Sequence, residues 1–477
     1  MTREIISPYL VIVFMIMLVF SSCIPVITTK KANTTVSANY NNMPSDTTNT
    51  GIINWKAFFT DPDLTALIDT ALSNNQELNM MREQVNITQY EIRARKGAYL
   101  PFVSPVVGIG ADKVGQYTVK GASQEMSTIK GNKISDPVGN LMLGVFATWE
   151  VDIWRKLRNA RKSSIYRYLA TQEGKNFMVT NLVAEIANSY YELMALDNQL
   201  EVLRKNIEIQ TNALGIIKLQ KQAARVTELA VRRFEAQVFN TKSRQYHIQQ
   251  SIIETENRIN FLLGRYPQTI QRNSTTFNSF VPKTISAGVP SQLLINRTDI
   301  RRAEQELEAA KIDVKVARAN FYPSLTITGG VGFEAFKPQY LLQLPQSLLF
   351  SAAGGLVAPL INRNALKAEY YSSSARQKQA VFNYERTILN GYIEVVNQVA
   401  NISNLQNSYD LKAQEVQALV KSVETANILF KSANADYVEV LLTQRDATES
   451  SIDLIEIKKQ QMHAMVNVYR ALGGGWR

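Results

Sequence analysis

Apolar residues recur at steps of three and four along two long stretches of the chain. In the first stretch the steps average about 3.5 residues, the period of helices that supercoil against partners. No proline lies between Pro137 and Pro267 or after Pro359, so both stretches lack the residue that breaks helices. The pattern therefore predicts two long helical hairpins. It is defined by Leu193, Leu196, Leu200, Leu203, Ile207, Leu214 and Ile217 in the first stretch and by Ala413, Val416, Val420 and Val423 in the second.

The turns of the two hairpins are predicted at polar clusters, Lys221–Glu228 and Lys431–Glu439. Gly264 and Gly473 are suitable ends for the return helices, because glycine readily adopts the left-handed backbone of a helix C-terminus. Shorter helices are predicted upstream of each hairpin. The expected bounds are about 155–264 and about 363–472 for the hairpins, and about Asp61–Arg95 and Asp299–Ala319 for the short helices.

A second pattern, of period two, precedes each hairpin. In "FYPSLTITGGVGFEAF", Leu325, Ile327 and Val331 alternate with Thr326 and Thr328, as expected for strands with unlike faces. The phrase "KGAYLPFVSPVVGIG" has the same form in the first half of the chain. Each half therefore predicts a short helix, two strands and a helical hairpin, with strands at about 99–153 and about 321–361.

We accordingly predict two repeats, 51–267 and 288–477, joined by a linker at 268–287. Four strands per chain cannot close a membrane barrel, because such barrels have about eight strands or more and an open edge in lipid leaves backbone groups unpaired. If these strands span a membrane, three chains would have to supply twelve. The alternative is a soluble protein in which two small strand pairs cap coiled coils.

The amino-terminal segment, residues 1–22, is typical of a secretory signal, with an apolar run from about Ile5 to Phe20 and small residues after it. Its end, "VFSSC", resembles a bacterial lipobox, although Phe20 stands where Leu is usual. In a lipobox the signal is cut before the cysteine, which then carries lipid. We expect Cys23, the chain's single cysteine, to be lipidated and 23–50 to be a tether rich in Thr, Asn and Ser. An ordinary signal with an incidental cysteine is the alternative.

The net charge of +11 comes without any run of five basic residues and without an aromatic–basic ladder. No nucleic-acid partner is therefore expected, and attraction to anionic membrane surfaces is the plainer consequence. His247 and His463 lie singly, and the chain lacks the HExxH, phosphate-loop and nucleophile-elbow motifs. We predict that the protein is not an enzyme and has no metal or cofactor apart from lipid on Cys23.

Three stretches closely resemble the TolC-like outer-membrane factors, and most nearly the lipoprotein branch that serves resistance-nodulation-division (RND) efflux pumps. The resemblance covers essentially the whole chain after the tether. It implies a membrane α+β fold: a homotrimeric channel with a twelve-stranded β-barrel, four strands per protomer, continuous with a long α-helical coiled-coil barrel. The three stretches are "WKAFFTDPDLTALIDTALSNN", "LLINRTDIRRAEQELEAAKIDVKVARANFYPSLTITGGVG" and "YRALGGGW".

The resemblance also implies a function and partners. Members of the family are passive exit ducts for small toxic compounds, joined through a periplasmic adaptor to an inner-membrane pump of the RND type. The expected location is the outer membrane, anchored in its lipid through Cys23 and spanned by the barrel, with the helical part in the periplasm. Two alternatives stay open: a duct for type I protein secretion, and a structural coiled-coil lipoprotein without a channel.

The family's closed gate lies at the periplasmic tip of the inner helices, where its pattern resembles "YxEVLDAQ". Here "DYVEVLLTQ" keeps Tyr437 and Glu439 but has Leu442 where Asp is common. In the first repeat, "VTELAV" keeps Glu228 and has Ala230 at the Asp position. The resemblance assigns a gate role to Glu439 and Glu228, with two acids of the expected ring missing.

Asp436 and Glu439 are three residues apart, a spacing that places two side chains on one face of a helix. Threefold symmetry would bring six such carboxylates near one axis. That ring would attract cations and disfavour closure unless basic residues pair with it. Arg225 and Arg445 are the candidate partners, and an ordinary solvated helix end is the alternative.

Overall fold

A computed structural model of the chain describes residues 24–40, 47–129, 131–279, 286–359, 363–432 and 434–477. The predicted signal segment and Cys23 lie outside the described residues. In the part of the chain that is described, no helix is both long and apolar enough to cross a membrane.

Helices make up most of the described chain. They are α1 (Trp55–Phe58), α2 (Pro62–Asn74), α3 (Gln76–Gly97), α4 (Val119–Met126), α5 (Lys156–Gln222), α6 (Glu228–Leu262), α7 (Leu293–Asn296), α8 (Thr298–Ala319), α9 (Asn364–Lys431) and α10 (Tyr437–Ala471), with 3-10 turns at Thr50–Ile52, Ser274–Thr276, Pro290–Gln292 and Pro338–Tyr340.

The strands form two antiparallel sheets. The larger sheet has the order β1-β4-β5-β6, and a two-stranded ribbon pairs β2 with β3. The strands are β1 (Phe102–Asp112), β2 (Thr128–Ile129), β3 (Asn132–Lys133), β4 (Val138–Val151), β5 (Ser324–Ala335) and β6 (Leu348–Val357).

The two predicted hairpins are confirmed as α5–α6 and α9–α10. The outgoing helices have 67 and 68 residues, or about 100 Å each at 1.5 Å per residue. Thr227 and Asp436 cap the return helices, and each return helix is followed within two residues by a glycine in the left-handed region, Gly264 and Gly473. Both glycine stops were predicted, because glycine adopts the left-handed backbone most readily, and a Cβ at either position would also lie 2.6 Å from a backbone carbonyl oxygen.

The predicted helix at about 61–95 is wrong in one respect, because it divides into α2 and α3 at Asn75. The side-chain nitrogen of Asn75 donates to the Leu262 carbonyl at 2.9 Å, and its side-chain oxygen accepts from the backbone N–H of Leu78 at 2.8 Å. A side chain that caps the next helix and bonds to a distant carbonyl stabilises a break that the local sequence does not require. The connection from β1 to β4 also contains α4 and the β2–β3 ribbon, which were not predicted.

The chain forms two compact units. The first, here called the sheet unit, comprises the described parts of residues 1–31, 86–169 and 305–382. The second, the hairpin unit, comprises those of 32–85, 170–304 and 383–477. The hairpin unit has a core in which Phe58 stacks on Tyr469 with ring centroids 4.0 Å apart. That core also holds the fully buried Leu64, Ile68, Ile186, Tyr190, Leu193 and Ile259.

An ion-pair cluster centred on Arg297 links several segments of the hairpin unit. The guanidinium of Arg297 contacts Asp299 and Glu394, each at 2.7 Å, and donates to the Ala471 carbonyl at 2.8 Å. Glu394 also pairs with Arg470 at 2.8 Å. Burial alone would lower the pKa of Arg297, but the hydrogen bonds and charges of the two carboxylates outweigh it and leave the pKa raised.

Replacing Arg297 with Met should lower the stability of the protein by about 2–3 kcal/mol, because the half-buried Asp299 loses its counter-charge, Glu394 keeps only Arg470 and the Ala471 carbonyl loses its donor. Thermal unfolding of the detergent-solubilised protein, followed by its helical circular dichroism, measures the effect. The control is Arg386→Met, because Arg386 is exposed and, among the described residues, its side chain bonds only to Asn383 of its own helix. Equal unfolding midpoints for the two variants would contradict a central role for the Arg297 cluster.

Candidate functional site

One face of the large sheet is apolar at every position. Successive side chains on a strand point to opposite faces, so the observed register fixes which residues share a face. Val107, Ile109 and Phe350 on this face are more than two-thirds exposed. The face comprises Val103, Pro105, Val107, Ile109 and Ala111 of β1; Leu141, Leu143, Val145, Ala147, Trp149 and Val151 of β4; Leu325, Ile327, Gly329, Val331, Phe333 and Ala335 of β5; and Leu348, Phe350, Ala352, Gly354 and Leu356 of β6.

The opposite face carries the polar and charged side chains of the sheet, among them Asp112, Glu150, Glu334 and the threonines of β5. It also carries Phe146, whose ring covers the backbone at Gly330. A Cβ at position 330 would lie 2.3 Å from that ring, so only glycine fits beneath it. An aromatic side chain covering a strand glycine pins the register of the two strands.

The two outer strands of the sheet, β1 and β6, leave their edges unpaired within the described chain. They have 11 and 10 residues, which is long for free edges. Each edge presents a row of backbone N–H and C=O groups that can pair with another strand. An exposed apolar face and two long open edges together are what a sheet shared between chains in a membrane requires.

The start of the described chain packs against the sheet unit. Ile24 and Ile27 contact a small buried cluster that includes Phe321, three residues before β5, and Tyr370, near the start of α9. The Lys30 backbone exchanges two hydrogen bonds with the Gln377 side chain, at 3.2 and 2.8 Å. The residue that follows Cys23 therefore packs in the helical part of the sheet unit, against a cluster that extends to Phe321 near the start of β5.

The tip of the first hairpin is a network of ion pairs. Glu228, the first residue of α6, pairs with Lys221 across the turn and with Arg232 at 2.8 Å. Glu235 extends the network to Lys218 at 2.9 Å and to Arg232 at 3.1 Å. The hydrogen bond from Lys221 is the main reason why the pKa of Glu228 lies below its ordinary value.

The sequence analysis predicted Glu228 as a gate residue but did not predict its ion-pair partners. The Glu228–Arg232 pair has the i,i+4 spacing of helical ion pairs and could have been found from the sequence. The Lys221–Glu228 pair could not, because it crosses a turn in which Ala224 adopts a left-handed backbone with φ of 54°. Ala230 is fully buried against the tip, so position 230 presents no side chain to solvent in the protomer.

The tip of the second hairpin carries the other predicted gate residues. Asp436 is the N-cap of α10 and accepts from the Tyr437 amide at 2.6 Å, while Glu439 lies in the first helical turn. Both carboxylates and Leu442 are exposed. The two acids thus meet at a helix N-terminus, whose free N–H groups stabilise negative charge and offset part of their mutual repulsion.

The structure does not bring the predicted basic partners to these acids within one protomer. Arg445 pairs with its neighbour Asp446 at 3.0 Å. Arg225 is exposed and forms no ion pair with a described carboxylate. Pairing of Arg225 or Arg445 with Asp436 or Glu439 stays a prediction.

The two tips pack against each other within the hairpin unit. A small cluster of the first hairpin, made of Ile217, Ala230, Val231 and Phe234, is covered in part by Tyr437 of the second hairpin. Phe430 and Leu441 contribute to the same packing. The side chain of Tyr437 is therefore part of the contact between the hairpins.

A mostly helical chain with two long hairpins and one antiparallel four-stranded sheet has the fold of the TolC-like outer-membrane channels. Among solved structures, a membrane protein from Pseudomonas aeruginosa matches with a TM-score of 0.84 at 23% identity, over 94% of this chain and 99% of that one. The open state of the Neisseria gonorrhoeae MtrE outer membrane channel matches with a TM-score of 0.82 at 19% identity, over 95% and 99%. These likenesses show the fold.

The sequence profile described as "Outer membrane efflux protein" matches residues 67–265 and 289–474, and the chain belongs to this family. It is 26% identical to the pyoverdine export outer membrane protein OpmQ of Pseudomonas aeruginosa, over 89% of this chain and 87% of that protein. It is 25% identical to the cation efflux system protein CusC of Escherichia coli K12, over 88% of both chains.

Acidification should loosen the tip of the first hairpin. Because the pKa of Glu228 is lowered in the folded protein, its contribution is present above the unfolded-state pKa and is lost as the pH falls through the folded-state value. Hydrogen exchange of the amides around 221–230, corrected for the intrinsic rate at each pH, should show falling protection. In Lys221→Gln the fall should be smaller, and a wild-type tip whose protection does not change with pH would contradict the role of the pair.

Proposed function

We propose that this protein is the outer-membrane exit duct of a tripartite efflux system and passively conducts small toxic compounds out of the cell. The observation that carries the proposal is the four-stranded sheet with one wholly apolar face and two open edges. Such a sheet is stable in hydrocarbon only when its edges are closed by further strands. Membership of the outer membrane efflux protein family supports the same function and location.

In the proposed assembly three chains contribute four strands each to a twelve-stranded barrel. The β6 edge of one protomer would pair with the β1 edge of the next, and their similar lengths of 10 and 11 residues suit that pairing. The apolar face would contact lipid and the polar face would line the interior, which is the alternation found in transmembrane barrels. The two repeats, 51–267 and 288–477, would each supply two strands and one helical hairpin.

The helical hairpins would form the periplasmic part of the duct and receive a periplasmic adaptor and an inner-membrane pump of the RND type. Lipid on Cys23 would anchor each protomer, and the packing of Ile24 and Ile27 beside the start of β5 supports an anchor at that edge of the membrane. The duct itself would need no cofactor, since the pump supplies the energy.

The names of the relatives do not indicate one common cargo. OpmQ is named for pyoverdine export, CusC for cation efflux, and the 26% identical SrpC of Pseudomonas putida for solvent efflux. Similar identity to proteins named for pyoverdine, cations and solvents supports a duct whose cargo is chosen by the pump and adaptor.

Charged substitutions on the two faces of β5 test the duct. Val331→Lys places a charge on the apolar face, which costs about 2–4 kcal/mol at the middle of a bilayer, and should abolish assembly. The matched change Thr328→Lys lies on the polar face and should be tolerated. The readouts are heat-resistant oligomers on gels, single-channel conductance in planar bilayers, and rescue of toxin tolerance in cells that lack the native protein.

The proposal fails if the wild-type protein forms no channels, or if the two β5 variants assemble equally well. If channels form normally but toxin tolerance is not restored, the protein is a duct and its proposed role in efflux is wrong.

We further propose that Asp436, Glu439 and Glu228 contribute to a gate at the hairpin tips. Without an acid at position 442 or an exposed side chain at 230, this gate should bind cations less strongly than a full carboxylate ring. Single channels should therefore be blocked only weakly by multivalent cations added at the periplasmic side.

Leu442→Asp adds one exposed carboxylate per protomer and should lower the half-blocking concentration about tenfold, whereas the neutral Leu442→Asn should leave it unchanged. Leu442 is 41% exposed, so neither change disturbs a buried core. Strong block of the wild-type channel, or equal block of the two variants, would contradict the proposed gate at position 442.

A further inference from the structure

The positive charge of the chain is concentrated in one part of the sheet unit. We call the helical and connecting segments of that unit, residues 24–31, 86–101, 152–169, 305–323 and 363–382, the collar. The collar holds eighteen Lys and Arg but six Asp and Glu, a net charge of +12, while the whole chain has +11. The strands and their connections, residues 102–151 and 324–357, hold five of each sign. The collar therefore accounts for the net charge of the chain.

At least six of the eighteen basic residues of the collar are exposed without a paired carboxylate among the described residues. Four of the six acids already pair inside the collar: Asp152 with Arg158, Glu308 with Lys311, Asp313 with Arg167 and Glu369 with Arg376. Several other basic residues are exposed and form no ion pair with any carboxylate of the described chain. They are Arg93, Arg95, Lys96, Lys315, Arg318 and Lys367.

The collar adjoins the sheet at one end. β1 and β5 begin there and β4 and β6 end there, as antiparallel pairing requires. Aromatic residues mark the junction: Trp154 stacks on Tyr322 with ring centroids 4.6 Å apart, and its indole donates to the Pro323 carbonyl at 2.8 Å. Trp and Tyr are typical of the level where hydrocarbon meets the headgroups.

We propose that the collar is a binding surface for the phosphate headgroups of anionic phospholipids in the adjoining membrane leaflet. The inference rests on the proposed function, because it needs the apolar face of the sheet to lie in lipid. Basic residues beside a membrane-spanning segment attract anionic headgroups, and the attraction falls off within a Debye length. The Trp154–Tyr322 pair is of the kind found at headgroup depth, and lipid on Cys23 would be held beside the collar because Ile24 packs against the cluster that contains Phe321 and Tyr370. Both arguments favour lipid over an anionic cargo as the ligand.

Quenching of tryptophan fluorescence by brominated lipids tests the proposal on the full-length protein in vesicles. Trp154 is 44% exposed at the collar junction, and Trp149 lies nearby on the apolar face, so together the two indoles report the lipid that contacts this end of the sheet. Brominated phosphatidylglycerol is compared with brominated phosphatidylcholine at low and high salt. The wild-type protein should associate about threefold or more strongly with phosphatidylglycerol, and the preference should weaken with salt.

Two matched variants locate the effect. The collar variant combines Arg93→Gln, Lys315→Gln, Arg318→Gln and Lys367→Gln and should lose most of the preference. The control makes the same four changes in the hairpin unit, at the exposed Arg204, Arg233, Lys242 and Lys421, and should keep it. The salt dependence of the wild-type protein tests the proposal even if the collar variant does not assemble.

Three results would overturn the inference: no lipid preference in the wild-type protein, a preference that salt does not weaken, or equal preference in the two variants. If the collar variant instead changes the ratio of anion to cation permeability with its lipid preference intact, the basic residues line the duct. Single-channel recordings on the same samples separate the two proposals. Conducting channels without a lipid preference leave the duct standing, and a lipid preference without channels counts against the duct alone.

Discussion

Unpaired backbone hydrogen-bonding groups at two strand edges are the constraint on which the rest of this structure depends. The sheet β1-β4-β5-β6 is open on both sides and apolar on one whole face. In water the exposed apolar face is unfavourable. In lipid the unpaired backbone groups of the two edges are unfavourable. Only closure with further strands satisfies both, so the sheet implies partners before any interface is considered. In the proposed assembly the doubled helix–strand–strand–hairpin order serves the same need, because each repeat would supply two strands to the wall.

Those parts of the fold that depend on short-range pattern could be predicted from the sequence. The hairpins follow from the 3.5-residue period, the strands from the alternation in Leu325–Val331, and the helix ends from Gly264 and Gly473. The break at Asn75 could not be predicted, since it depends on a hydrogen bond to Leu262 far along the chain. The connection between β1 and β4 has no sustained period, and its short helix and ribbon left no usable signal.

The candidate gate was predictable in its residues and not in its contacts. Resemblance to a known family selected Glu228, Tyr437 and Glu439, but the side chains around them are set by the turns. Lys221 reaches Glu228 because Ala224 reverses the chain in a left-handed conformation, and Tyr437 is occupied in packing against the first hairpin. A spacing of three residues suggested that Asp436 and Glu439 repel each other on a helical face. Since Asp436 is the N-cap, the helix N-terminus stabilises both charges, so a basic partner is not required to hold them there.

The net charge of the chain says little about its function, whereas the location of the charged residues in the structure says much more. A net charge of +11 without basic runs excludes little, because the sum hides where the charge lies. In the structure the strands and their connections have no net charge. The basic excess begins where the strands end, at Arg155 just before α5 and at Lys315 and Arg318 before β5. A surface in hydrocarbon cannot carry unpaired charge, whereas the first turns beyond it can carry as much as the headgroups there will neutralise. In the proposed membrane placement, the boundary between hydrocarbon and headgroups would therefore account both for the apolar face of the sheet and for the onset of positive charge next to it.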